Sequence, residues 1–192
     1  MKDIYKYYII TLFLMMSLST DAYAQNVNKI EKETNEAIIW TRDRALKLSD
    51  FQAKVDTTTS KKAITGANII IVPYAFKNGK YEYHVLAKFH KDISWINTKS
   101  EYILKHEQVH FDIAELYARK MRRDIDKIKK SAGDVLQSDY RRIHKSLFRS
   151  YYYFQKQYDD QTHHSTDHEE QVRWNAIVAD ELKKLEHFKL DL

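Results

Sequence analysis

The chain has 192 residues, no cysteine and a formal net charge of +5 from 32 Lys and Arg against 27 Asp and Glu. Without cysteine there is no disulfide framework, thiolate nucleophile or thiolate metal ligand, so any staple would be a metal held by nitrogen and oxygen. One proline and three glycines exclude a flexible linker and a glycine-rich phosphate loop, and the basic residues are scattered among carboxylates, which argues against a nucleic-acid partner.

Lys2 and Lys6 precede an apolar run over residues 7–18, and Ala22-Tyr23-Ala24 is a small-x-small cleavage pattern. Residues 1–24 therefore read as a secretory signal peptide cut before Gln25. The apolar run is shorter than the roughly 20 residues of a membrane span, and no cysteine follows it to carry a lipid. Residues 25–192 are expected to form a single exported domain, periplasmic or extracellular, without stable membrane insertion.

Residues 25–36 are a polar, loosely helical entry. Residues 37–40 read as a short strand, 48–51 as a turn that tucks Phe51 into the core, and 56–60 as a loop. The clearest β signal is the pair of runs 67–76 and 81–89 flanking Lys77-Asn78-Gly79-Lys80, where Asn-Gly predicts a hairpin. In the second run Tyr81, Tyr83, Val85, Ala87 and Phe89 share one face and Glu82, His84, Leu86 and Lys88 the other, the pattern of a half-buried strand. Pro73 cannot donate to a ladder, so it belongs on an edge or at a bulge.

A long helix is predicted after Trp95. Thr98 with Glu101 forms a capping box, and Gly133 marks the end. Its apolar stripe holds Ile103, Ile113, Tyr117, Met121 and Ile128, and His106 and His110 fall within it. Lys105, Arg119, Lys120, Arg122 and Arg123 mostly point away. A second helix over residues 138–158 has Ile143, Leu147, Tyr151, Phe154 and Tyr158 on one face. Thr166 with Glu169 is another capping box, opening a last helix with the stripe Trp174, Val178, Leu182 and Leu185. The expected class is α+β: a small antiparallel sheet with a hairpin, then a long helix and two further helices.

The long helix carries His106-Glu107-Gln108-Val109-His110. H-E-x-x-H on a helix has a mechanism behind it. Histidines four apart return to within roughly 40° of one another, so both imidazoles can bind one ion with the glutamate beside them. A catalytic zinc takes a third protein ligand and leaves one position open. Glu115 lies about 180° round the helix from His106 and Asp112 about 120°, so neither reaches the ion. His163, His164, His168, Glu169 and Glu170 remain, with His84 and His90 as weaker options.

The run from His106 to Glu115, followed by Tyr158-Asp159-x-x-Thr162-x-His164 and Gln171-x-x-Trp174, resembles the bacterial domain of unknown function 922 family. Asp50-Phe51 and Ser94-Trp95 extend the likeness over most of the mature chain. That family is described as secreted zinc-dependent proteases related to the zincin metallopeptidases. The resemblance implies a zincin-like fold, a Zn²⁺ cofactor and a peptide or protein substrate. It also implies His164 as the third ligand beside His106 and His110. The family usually has glycine after this histidine, where this chain has Ser165. The implied chemistry makes Glu107 the catalytic base for a zinc-bound water, with Tyr158 or Tyr102 steadying the oxyanion and Asp159 orienting a ligand imidazole from the outer shell. By analogy with zincins, residues 81–89 would pair with an extended substrate. Two other readings stay open: an envelope protein stapled by structural zinc, and an anion-binding surface protein suggested by charge alone.

Overall fold

Alternating apolar residues make strands in the first half of the chain, and stripes at helical spacing make helices in the second. The change comes at Ser100. The computed structural model describes residues 30–77 and 79–192, so the expected signal peptide lies outside the described residues. The strands are β1 (Ala37–Ile39), β2 (Ala63–Ile64), β3 (Ala67–Lys77), β4 (Lys80–His90) and β5 (Trp95–Ile96). The helices are α1 (Glu101–Ala132), α2 (Gln137–Gln161) and α3 (His168–Lys184), with short 3-10 turns at Leu48–Asp50 and Glu186–Phe188. The class is α+β, as expected. Among the described residues no helix is long and apolar enough to cross a membrane.

Two units divide the chain. Val72–His84, the turn end of the hairpin, belongs to one. In it His84 stacks on Tyr74 with ring centroids 3.9 Å apart, and Phe76 packs on Tyr81. Glu31–Ile71 and Val85–Leu192 form the other, which holds every site residue discussed below except His84.

The larger sheet has the order β1-β4-β3, with Ile38 opposite Phe89 in the antiparallel β1–β4 pair. Pro73 thus sits on an edge strand, as its missing N–H requires. The same order narrows the expectation that residues 81–89 take up substrate. β4 is the middle strand, and between Val85 and His90 its second edge is occupied. β1 covers Lys88–His90, Trp40 N–H donates to the Ala87 carbonyl, and Arg122 donates to the Val85 carbonyl. A second sheet pairs β2 with β5, Ala63 opposite Ile96 and Ile64 opposite Trp95. Two-residue strands carry no readable periodicity, and sequence reasoning missed both.

α1 is capped two residues later than expected. Ser100, not Thr98, accepts from the Ile103 N–H, while Thr98 Oγ1 accepts from Ser100 N–H. Gly133 ends the helix at φ +78°, which suits a residue without Cβ. The start of α3 shifts likewise: Asp167, not Thr166, accepts from the Glu170 N–H. Both shifts have one cause, since two nearby polar side chains compete for each cap and only one is placed to reach N3.

The core forms where the three helices meet. Val109, Ile113, Leu116 and Tyr117 of α1 pack with Tyr158 of α2, Trp174 and Val178 of α3, and Leu185. Trp174 is 2% exposed and its indole N–H donates to Gln161 Oε1 at 2.9 Å, so the ring is buried with its polar atom satisfied. Arg119 departs from its expected outward place and is 1% exposed. It donates to Glu115 at 2.9 Å and to the Leu182 carbonyl at 2.7 Å, and it lies over the Trp40 ring. Arg122 adds a second cation to Glu115. A buried carboxylate on α1 is thus neutralised from its own helix, which permits arginine on an inward face.

Candidate functional site

His106, Glu107 and His110 occupy one and a half turns of α1, and the helix faces them towards the C-terminal part of α2. His106 Nε2 lies 3.2 Å and His110 Nε2 3.0 Å from one atom, Asp159 Oδ1. The three residues offer one ligand atom each, all within 4.8 Å of one another, the only such acid and histidine group among the described residues. The Tyr158 ring stacks on His106 at 4.6 Å and meets His110 edge-on at 4.9 Å, walling the pair from the core.

The opposite nitrogen of each imidazole is held as firmly. Gln155 Oε1 faces His110 Nδ1 at 2.6 Å, and Gln171 Oε1 faces His106 Nδ1 at 2.7 Å. Neither amide is free to turn. Gln155 Nε2 donates to the His110 carbonyl at 2.9 Å, and a carbonyl can only accept. The Tyr158 hydroxyl donates to the His106 carbonyl and accepts from Gln171 Nε2 at 2.6 Å, with Asn175 Oδ1 taking the second amide proton. Each Nδ1 therefore carries hydrogen. In a neutral ring each Nε2 then presents a lone pair to a carboxylate oxygen. Two lone pairs and an anion converge on one point, an arrangement that requires a cation there: a metal ion or added protons.

The electrostatics follow from that convergence. Burial pulls His110 towards its neutral form, but the hydrogen bond to Asp159 and the charges of Glu107 and Asp159 outweigh it, leaving its pKa above the ordinary histidine value. Burial raises Asp159, yet the two imidazoles hold its carboxyl well below the usual carboxylate range. Burial pushes the Tyr158 phenol far above its ordinary value.

Glu107 is 4% exposed, and no hydrogen bond among the described residues ends on its carboxylate. No fully enclosed polar side-chain atom there lacks a partner, so its oxygens are the atoms that open into the cleft it lines. The cleft has a volume of about 910 Å³. One wall is the segment around β2, with Lys61, Lys62 and Ala63. The other is α2, with Tyr151, Tyr152 and Gln155, and the turn after it closes one side.

That turn holds the remaining candidates. His163, His164 and Ser165 all have positive φ, at +47°, +51° and +70°, in a region non-glycine residues rarely occupy. Ser165 stands where glycine would be at ease. The His164 side chain is 56% exposed, and its Nδ1 lies 3.6 Å from Asp159 Oδ2, the oxygen the two imidazoles leave free. It lines the cleft beside the centre but is outside the group of three converging ligand atoms. His163 is 72% exposed and leans towards Asp167. His168 stacks on Tyr102, Glu169 is exposed, and Glu170 pairs with Arg173. His84 is committed to Tyr74, and His90 faces Asn68. Asp112 bonds Trp40 and Gln108, and Glu115 bonds two arginines, so both carboxylates excluded by angle have other partners.

Two expected oxyanion residues fall away. Tyr158 is fully buried with its hydroxyl engaged on both sides, and Tyr102 donates to the Asp167 carbonyl away from the cleft lining. Sequence reasoning missed Gln155 and gave Gln171 no role. The signal for Gln155 is its place four residues before Asp159 on one helix, which sets both on one face.

Residues 86–165 match the model of a family described as "Bacterial protein of unknown function (DUF922)". The matched stretch runs from β4 to the left-handed turn and contains His106, Glu107, His110, Gln155, Asp159 and His164. No curated protein and no solved structure matches the chain.

Proposed function

We propose that this chain is an exported zinc-dependent peptidase of the H-E-x-x-H type, with His106, His110 and Asp159 holding the metal and Glu107 as the general base. The observation that carries the reading is the meeting of both Nε2 atoms at Asp159 Oδ1 while both Nδ1 atoms are fixed by glutamine. Two imidazoles and a carboxylate suit Zn²⁺, and an acceptor on the far nitrogen, here a glutamine oxygen, is the usual means of fixing a ligand tautomer. Three protein ligands also favour catalysis over a structural staple, since a closed site needs a fourth. Zinc bound there supplies Lewis acidity, acidifying a water and polarising a carbonyl.

The chain's own residues do the rest. Glu107 opens into the cleft beside the two imidazoles, where it takes a proton from the attacking water and returns it to the leaving amine. β2 lies along the same cleft with β5 as its only partner strand among the described residues, so one of its edges remains open to an extended peptide. On this reading the substrate strand pairs with β2 rather than β4. The signal-like first 24 residues support export.

The test is Glu107→Gln. The variant is expected to keep its zinc and to lose hydrolysis of a mixed peptide library by about 10²–10⁴-fold. Wild type that carries zinc and cleaves no peptide would refute the proposal.

A further inference from the structure

The left-handed turn after α2 is the most strained backbone among the described residues. Three successive non-glycine residues at positive φ are costly, and only surrounding structure can hold them. That structure is visible. His164 N–H donates to the Asp159 carbonyl at 2.8 Å, Thr166 N–H and Asp167 N–H both donate to the Thr162 carbonyl, and the buried Thr162 hydroxyl donates to the Tyr158 carbonyl at 2.8 Å. The bonds tie the turn to the residues that wall and complete the centre, and they set the His164 imidazole over the Asp159 carboxylate.

We infer that His164 is a catalytic residue that donates its Nδ1–H to the carbonyl oxygen of the scissile bond as negative charge builds on it, an inference that rests on the peptidase reading above. Nδ1 is the ring nitrogen turned to the centre. At 3.6 Å from Asp159 Oδ2 it is too far for a hydrogen bond, so its N–H remains available to an incoming oxygen. Nδ1 carries hydrogen in one neutral tautomer and in the cation, so it can donate in either.

Four other donors of the cleft lining are already committed. Tyr151 donates to the Ala67 carbonyl, Gln155 to His110, Thr65 to Glu107 and Thr166 to His163. Tyr158 is sealed in the core.

In the step itself water oxygen bonds to the carbonyl carbon, its proton goes to Glu107, and the carbonyl π pair moves onto the oxygen that His164 steadies. When that pair returns, the C–N bond breaks and the amine leaves with the proton from Glu107. His164 transfers no proton.

The test uses the zinc-loaded full mature chain, with His164→Ala and His164→Asn. Asparagine tolerates positive φ and sets an amide N–H near the place of Nδ1, so the second variant keeps the turn and a weaker donor. Zinc content, kcat, KM and calorimetric affinity for a phosphinic peptide, whose tetrahedral anion mimics the charged oxygen, are read for each. Both variants are expected to keep zinc and KM; His164→Ala loses about 10²–10³-fold in kcat and binds the phosphinic peptide more weakly in proportion, and His164→Asn loses less in both. Loss of zinc in His164→Asn would make the residue a ligand and overturn the inference, as would unchanged phosphinic affinity or an equal weakening of kcat and substrate binding. Those results leave the peptidase reading standing if Glu107→Gln still abolishes cleavage. A wild type that neither cleaves peptide nor binds the phosphinic peptide overturns both.

Discussion

Replacing Gln155 with leucine tests whether the far nitrogen of His110 controls the metal centre. Gln155 Oε1 accepts from Nδ1 at 2.6 Å, and its amide donates to the His110 carbonyl at 2.9 Å. Leucine fills similar space and removes both bonds. If water reaches Nδ1, the loss is one ordinary hydrogen bond, about 0.5–1.5 kcal/mol. If it does not, a buried donor is stranded at about 1–3 kcal/mol. The His110 side chain is 14% exposed, which places the loss in the upper part of that span. Outer-shell partners of metal-bound histidine are worth about 10–100-fold in affinity, or about 1.4–2.8 kcal/mol, and the two estimates agree. The assay is zinc titration of the metal-free chain against a chromophoric chelator at fixed pH. Gln155→Glu serves as the counter-variant, because it keeps the acceptor and adds charge, and it should bind zinc at least as tightly as wild type. Wild-type affinity in Gln155→Leu, or an equal fall in both variants, would refute the orienting role.

Three further outcomes are expected. Ser165→Gly should relieve about 1–2 kcal/mol of left-handed strain at φ +70°, offset by about 0.4–1 kcal/mol of added freedom in the unfolded chain, and the net gain is read as a rise in Tm with zinc content unchanged. Arg119→Leu leaves Glu115 in the core with only Arg122 to neutralise it. A loss near the lower end of the roughly 3–5 kcal/mol range follows, read as a lower urea midpoint. The third concerns acid. Hydrogen bonds from Arg44 and Lys91 depress Glu33 to a pKa of about 2. A depressed carboxylate contributes stability that is present above its unfolded pKa and is lost as pH falls towards 2. Glu33 is 40% exposed, so solvent screening limits the effect. Glu33→Gln should flatten the stability profile over that window while leaving the slope near neutral pH unchanged, as pH-dependent urea melts would show.

The helices were legible because each has a single apolar stripe long enough to average out exceptions. The hairpin was legible because Asn78-Gly79 separates two β-rich runs. Arg119 was misplaced because two of its partners, Leu182 and Glu186, lie more than sixty residues away, and the third, Glu115 four residues back, reads on a helix as an ordinary surface pair. β2 and β5 are two residues each, and their pairing rests on tertiary contact rather than periodicity. At the centre, spacing alone puts His106 and His110 together with Glu107. The carboxylate between the imidazoles comes from another helix, and its side depends on how α1 and α2 cross. For that reason Asp159 reads from sequence as an orienting residue at a helix end, although both Nε2 atoms reach it directly.

Metal analysis of the purified mature chain beside Asp159→Asn and His164→Asn bears most directly on the proposed centre. About one zinc per chain is expected in wild type and in His164→Asn, with zinc largely lost from Asp159→Asn. Zinc retained by Asp159→Asn and lost from His164→Asn would return the third ligand to His164, and a wild-type chain that takes up no metal would remove the centre altogether.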